Sequence, residues 1–323
     1  MKFRTEVKIA PFSRPIALNE QIVALGSCFA SELSEALTAR NLQVLCNPLG
    51  PLYNPLSIAA AVERALSKRA FSAEEIATNG EGERFSFDAS TRFTDPSCEE
   101  LLKRLNTTND RLCAAIERAD RLILTFGTAW VFRLAESNEV VANCHKEPAV
   151  RFRRERLSVG EIVERWKALL QGPLAEKQII LTLSPIRHLG DGLEGNAVSK
   201  ATLRLAIEEL VAACPNVSYF PAYELLLDDL RDYRFYAEDL VHPSSQAVKY
   251  ILECFIEAAF TPLDRAYLAR IDRALAFCRH RPTNPRSASY RQGIEQTLVE
   301  LRALEEEVKI DFSAQIQALE ALL

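Results

Sequence analysis

Two stretches of the 323-residue chain carry side chains capable of covalent chemistry. In "QIVALGSCFASELSEALTAR", residues 21 to 40, an apolar run ends at Gly26 and then presents Ser27 and Cys28 in succession. In "AEDLVHPS", residues 237 to 244, Asp239 and His242 stand three apart, a spacing that brings both side chains to one face of a helical turn. A carboxylate so placed orients an imidazole, which can take a proton from a nucleophile and return it to a leaving group. Cys or Ser, His and Asp are together the parts of an acyl-transfer triad, recognised by role and not by chain order. Singly, each stretch has a plainer reading: Ser27 as a helix cap, Cys28 as a small buried residue, and Asp-x-x-His as a chance surface pattern. Their combination favours chemistry.

A nucleophile needs a setting that stabilises its anion. "IVAL" reads as a buried strand, while Leu33, Ala36, Leu37 and Arg40 are spaced as one face of a helix, which makes Gly26 a strand-to-helix hinge. The residues just after it lie at a helix N-terminus, where unpaired N–H groups and the positive end of the dipole favour a thiolate or an oxyanion.

Further strands are predicted in "LQVLCNP" (42 to 48), "RLILTFG" (121 to 127), "QIILTLS" (178 to 184) and "NVSYFPAY" (216 to 223), with helix-like segments between them. This alternation predicts an α/β domain over residues 1 to 260, a three-layer α/β/α sandwich with a mostly parallel sheet. "RFSFDASTRFTDPS" and a hairpin turning at Ser137 and Asn138 interrupt it as insertions. Residues 261 to 323 read as a helical C-terminal extension and a surface for an oligomer or protein partner.

In such a sheet, ligands bind beyond the carboxyl ends of the strands. Gly50, in the loop after the second strand, is placed to present a backbone N–H or to serve as a plain turn glycine, and Gly127 ends the third strand. Asn143 is an amide donor or a structural hydrogen-bonder. His145 and His188 compete with His242 as bases or serve as substrate contacts, and Lys146 and Arg187 beside them suit an anionic group.

The whole chain sets outer bounds. Its 48% hydrophobic content fills a sizeable core, and a formal charge of -5 gives no electrostatic reason to bind nucleic acid, with "RFRRER" (151 to 156) most simply a solvated face. Eight scattered cysteines without a CxxC pair fit neither a zinc site nor a disulfide framework, so no metal or other cofactor is expected and a reducing cytoplasm is. Neither a signal-peptide pattern nor a membrane-spanning run is evident.

Six ordered blocks, "ALGSCFASEL", "NPLGPLYNPLSI", "LTFGTAWVF", "NCHK", "LTLSPIRH" and "DLVHPS", together resemble the bacterial GSCFA-domain proteins over about residues 5 to 260. That family is similar to the SGNH (GDSL-like) hydrolases, whose members are three-layer α/β/α esterases, lipases and carbohydrate O-acyl hydrolases or transferases. The resemblance implies Cys28 at the nucleophile position, with Ser27 where the superfamily has Asp, Gly50 as the oxyanion glycine, and Asp239 with His242 as the closing pair. Ala129 stands where an oxyanion Asn is expected, leaving Asn143 or Asn54 to substitute. The expected function is therefore acyl transfer from a small-molecule or saccharide ester, such as an O-acetylated carbohydrate, by an esterase, deacetylase or O-acyltransferase. Two alternatives stand beside it: Ser27 as the attacking group, and a non-catalytic carbohydrate-binding or scaffold protein that uses the same cleft.

Overall fold

A computed structural model describes residues 4–323. The apolar runs form five strands, β1 (Gln21–Gly26), β2 (Gln43–Cys46), β3 (Arg121–Phe126), β4 (Gln178–Leu183) and β5 (Val217–Phe220). They pair in the order β2-β1-β3-β4-β5, every pair parallel. β3 is buried along its whole length and β4 along all but its first residue, as strands covered on both faces must be. Along β1, Ile22 and Ala24 join one apolar cluster while Val23 and Leu25 join another, so the period-2 alternation divides the core between the two faces of the sheet.

One cluster is filled by helices α2 (Pro55–Leu66), α3 (Cys98–Arg118), α4 (Val159–Gln171) and α5 (Gly192–Ala213), through side chains such as Ile58, Leu112, Trp166 and Leu203. The other is filled by α1 (Cys28–Thr38) and α6 (Ser245–Ala259), through Phe29, Leu33, Ile251 and Phe255. The C-terminal helices α7 (Pro262–Arg279), α8 (Ala288–Val308) and α9 (Ser313–Glu320) add Leu268, Leu298 and Phe312 to this second cluster. They are tied to the end of α1 by an Arg40–Asp272 ion pair at 2.8 Å and an Asn41 amide on the Asp311 carbonyl, also at 2.8 Å. The C-terminal region thus shares the core of the sheet domain.

Both interruptions are small antiparallel sheets. One joins Ala77–Thr78, Arg84–Phe85 and Thr94–Asp95, and the other places Trp130–Leu134 between Val140–Val141 and Phe152–Arg156. The hairpin turns where expected, with Asn138 at φ +62°. In "RFRRER", Arg151 pairs with Glu136 and Glu147, and Arg154 with Asp191, so this edge is an ion-paired face. Among the described residues, no helix is long and apolar enough to cross a membrane.

The strand order reverses between β1 and β3, the switch point where loops diverge and leave a crevice. Gly26 lies beside Thr125, and Thr125 beside Thr182, so β1, β3 and β4 end together and their following loops emerge along one edge.

Candidate functional site

Gly26 sits at φ +140°, and a Cβ there would lie 2.2 Å from the Thr125 carbonyl oxygen, so only glycine lets β1 turn into α1 at this point. Asn47 fixes the turn by accepting the Gly26 N–H at 2.8 Å. Ser27 follows as the helix N-cap, its own N–H bonded to the Thr125 carbonyl at 3.1 Å. Its hydroxyl does not cap the helix: Oγ is buried and has no partner among the described residues. Cys28 is the first residue of α1 and half-buried, on a turn that carries no acidic residue. The positive end of the α1 dipole therefore faces the thiol without a competing charge from that turn. Among the described residues, Cys28 Sγ has one hydrogen-bond partner, the Tyr53 hydroxyl at 3.6 Å.

Tyr53 connects three loops. Its carbonyl accepts the N–H groups of Gly127 (2.8 Å) and Thr128 (2.9 Å), and its ring meets the edge of His188 at 5.9 Å between centroids. Burial, then the Cys28 sulfur, pushes the phenol up to about 12, so it stays protonated and can donate. Gly127 is packed from three sides: a Cβ there would lie 2.9 Å from the Tyr53 carbonyl oxygen and 3.2 Å from both His188 Nε2 and Ser27 Cβ. His188 is held by its backbone N–H, which donates to Asn196 Oδ1 at 3.0 Å. Its Nε2 is buried without a partner among the described residues. Burial, then the charge of Lys200, pulls this imidazole down to about 4. Lys200 lies beneath, buried, with Nζ donating to the carbonyls of Gly127 (2.8 Å) and Ser184 (2.7 Å), and burial lowers its ammonium to about 7.

Asp239 and His242 are bonded, Oδ2 to Nδ1 at 2.6 Å. They do so from a non-helical turn and not from the helical turn expected, because Leu240 adopts φ +56° between them. Asp239 Oδ1 accepts the N–H groups of Val241 (2.9 Å) and His242 (3.0 Å). These bonds, the His242 N–H foremost, hold the carboxyl down at about 2, so it is ionised at neutral pH. The imidazole proton then belongs on Nδ1, which leaves Nε2 as an acceptor. Both side chains are about half exposed, and Pro243, next to His242, lines the same cleft as Glu32 of α1. No hydrogen bond joins His242 to Cys28 among the described residues.

The structure thus gathers Ser27, Cys28, Gly127 and His188, and Arg187 ties the Asp239–His242 turn to the loop that carries His188. Among the other candidates, Gly50, Asn54 and His145 have their groups engaged elsewhere, and Asn143 engages its amide oxygen. The Gly50 N–H donates to the Asn47 carbonyl at 2.8 Å, and a Cβ there would meet Ser90 Oγ, so Gly50 is a packed turn glycine with no donor to spare. Asn54 caps α2, accepting the Ser57 N–H at 2.8 Å and donating to Ser57 Oγ at 2.9 Å. Asn143 accepts the His145 N–H at 2.8 Å within its own loop. His145 is buried, stacked on Phe85 at 4.3 Å with Nε2 on the Ala89 carbonyl at 3.0 Å, and its pKa is lowered by burial, so it pins the insertions together. Arg187 lies over the Tyr236 ring at 3.9 Å and donates to the Leu240 carbonyl, holding the His242 loop, while Lys146 is exposed. Tyr53 and Lys200 are the participants that sequence reasoning misses. Lys200 had a signal, since it falls on the stripe that Leu203, Ile207 and Leu210 continue on α5.

A family model described as the GSCFA family matches residues 21–255, and one described as the C-terminal domain of GSCFA domain proteins matches residues 269–323. No curated protein matches the chain.

Proposed function

The chain belongs to the GSCFA family, and from that premise and the geometry at the end of β1 we propose that it is an acyl-transfer enzyme with Cys28 as nucleophile, His242 as base and acid, and Asp239 as the group that orients His242. The three-layer architecture and ester chemistry of the SGNH hydrolases belong to the same proposal, as does a reducing cytoplasm, with which its eight free thiols agree.

The observation that carries this reading is a half-buried thiol at the uncapped N-terminus of α1, on the same edge of the molecule as a histidine already bonded to a carboxylate. His242 Nε2 takes the thiol proton, and the thiolate attacks the ester carbonyl, forming an S–C bond as the C=O electron pair moves onto oxygen. The tetrahedral intermediate collapses, the C–O bond to the alkoxide breaks, and His242 returns its proton to give the free alcohol and a thioester on Cys28. Water or an acceptor hydroxyl, deprotonated by His242, then attacks the thioester carbon. The S–C bond breaks, and the thiol is restored as an acid or a new ester departs. Ser27 is almost wholly buried while Cys28 is only half-buried, which argues for attack by Cys28 and against attack by its neighbour.

The test pairs thiol reactivity with turnover. Alkylation of Cys28 by iodoacetamide at neutral pH should slow at least about tenfold in His242→Ala, and hydrolysis of p-nitrophenyl acetate should be lost in Cys28→Ala and fall on the order of a thousandfold in His242→Ala. Ester turnover that survives Cys28→Ala would sink the thiol mechanism.

A further inference from the structure

When Cys28 attacks a carbonyl, the oxygen becomes an anion and needs hydrogen-bond donors aimed at it beforehand. The main chain offers few. The N–H groups of Gly50, Gly127 and Thr128 are spent on the carbonyls of Asn47 and Tyr53, and that of Ala129 on Ser199 Oγ at 2.7 Å. The Asn54 amide is spent on Ser57. The start of α1 leaves the Cys28 N–H, and a second donor has to come from a side chain.

His188 meets that need. Its Nε2 is buried, lacks a partner among the described residues, and abuts Gly127, which Ser27 also packs against. A buried polar atom left unpaired costs stability and calls for a ligand or a catalytic role. The backbone that carries the ring is fixed from two directions: the His188 N–H is tied to Asn196 on α5, and the Arg187 N–H to the Val241 carbonyl at 3.1 Å in the His242 loop. Its edge contact with Tyr53 places it one ring away from the Cys28 sulfur. Burial, together with the charges of Lys200 and Arg154 and against that of Asp191, keeps the imidazole neutral at neutral pH. A neutral imidazole with the proton on Nε2 is a hydrogen-bond donor and a poor base, as an electrophilic role requires.

Building on the acyl-transfer reading, we propose that His188 donates its Nε2–H to the oxyanion of the tetrahedral intermediate, alongside the Cys28 N–H, at the point where Ala129 has no side-chain donor. The proton stays on Nε2 throughout, and the bond strengthens as charge develops on oxygen.

The experiment uses the full chain and p-nitrophenyl acetate, comparing wild type with His188→Leu, which fills the space but cannot donate, and His188→Gln, whose amide can. The Leu variant should lose about 10²–10³-fold in kcat/KM while iodoacetamide alkylation of Cys28 stays within about twofold of wild type, because alkylation passes through no oxyanion. The Gln variant should recover at least about tenfold over Leu. Circular dichroism and thermal melting establish that the variants are folded, with His188→Ala in place of Leu if that variant is not. Unchanged kcat/KM in a folded Leu variant overturns the proposal, as does Gln no better than Leu. Alkylation that falls in step with turnover overturns it too, because His188 would then act on the thiol or on the fold. A wild type that hydrolyses nothing, or hydrolyses equally well without Cys28, fails the acyl-transfer reading itself and takes this proposal with it.

Discussion

At the scale of single residues, Lys200 is a costly placement. Its ammonium is buried with two carbonyl acceptors and, among the described residues, has no carboxylate as a hydrogen-bond partner. Burial lowers its pKa from the ordinary 10.5 to about 7. The unfolded chain keeps that proton to the ordinary value, so between about pH 7 and 10.5 the unfolded state binds more protons and native stability gains with rising pH. Lys200→Met removes this titration and leaves the Gly127 and Ser184 carbonyls unpaired, at about 1–3 kcal/mol for each group so stranded. Urea unfolding at several pH values should show the stability of wild type over Lys200→Met growing from pH ~7 to ~9.5. A difference independent of pH would mean that Lys200 holds its proton as firmly when folded as when unfolded. The lysine spans the ends of β3 and β4 beneath His188, so its charge also helps to keep that imidazole neutral.

At the scale of elements, the decisive piece is the turn that carries Asp239 and His242. It has no regular secondary structure, and much of what fixes it comes from Arg187: the guanidinium over Tyr236, its bond to the Leu240 carbonyl, and its backbone N–H on Val241. Arg187→Ala should leave the Asp239–His242 bond intact within the turn but loosen the turn against the sheet. We expect kcat/KM for ester hydrolysis to fall about tenfold, a 1.4 kcal/mol change in barrier, with faster amide hydrogen exchange confined to residues 236 to 243. Unchanged exchange there would show that other contacts hold the turn. The strands and the hinge were legible in the sequence because both signals are local: apolar runs of strand length, and Gly26 between a strand and a helix. The spacing of Asp239 and His242 foretold their pairing but not its form, a turn with Leu240 at φ +56° that Asp239 and Arg187 both bond to. Asn54 and His145 looked like site residues because polar side chains in loops do, and only the packed structure shows their groups engaged by Ser57 and Ala89. Tyr53 and Lys200 become visible as participants only once the order β2-β1-β3-β4-β5 brings the loops after β2 and β3 together and sets α5 beneath them.

At the scale of the whole molecule, the C-terminal helices complete the face of the sheet on which α1 lies. Ile271, Leu301 and Phe312 belong to one apolar cluster with Leu33, Leu37 and Phe255, and Arg40 and Asn41, just past α1, are bonded to α7 and to the start of α9. A chain ending at residue 260 would therefore uncover the outer sides of α1 and α6. Each large apolar side chain so exposed forfeits about 1.5–3 kcal/mol, against a total stability for ordinary domains of about 5–15 kcal/mol. Such a chain should melt at least about 10 °C lower than the full chain, or fail to melt cooperatively, and limited proteolysis should cut it within α1 or α6. The loss would reach the site, because α1 presents Cys28 at its first residue and any tilt of that helix moves the thiol away from Tyr53 and His242. A truncated chain with the full melting temperature and undiminished Cys28 alkylation would instead make the C-terminal helices an independent module, free to serve a partner without bearing on the chemistry.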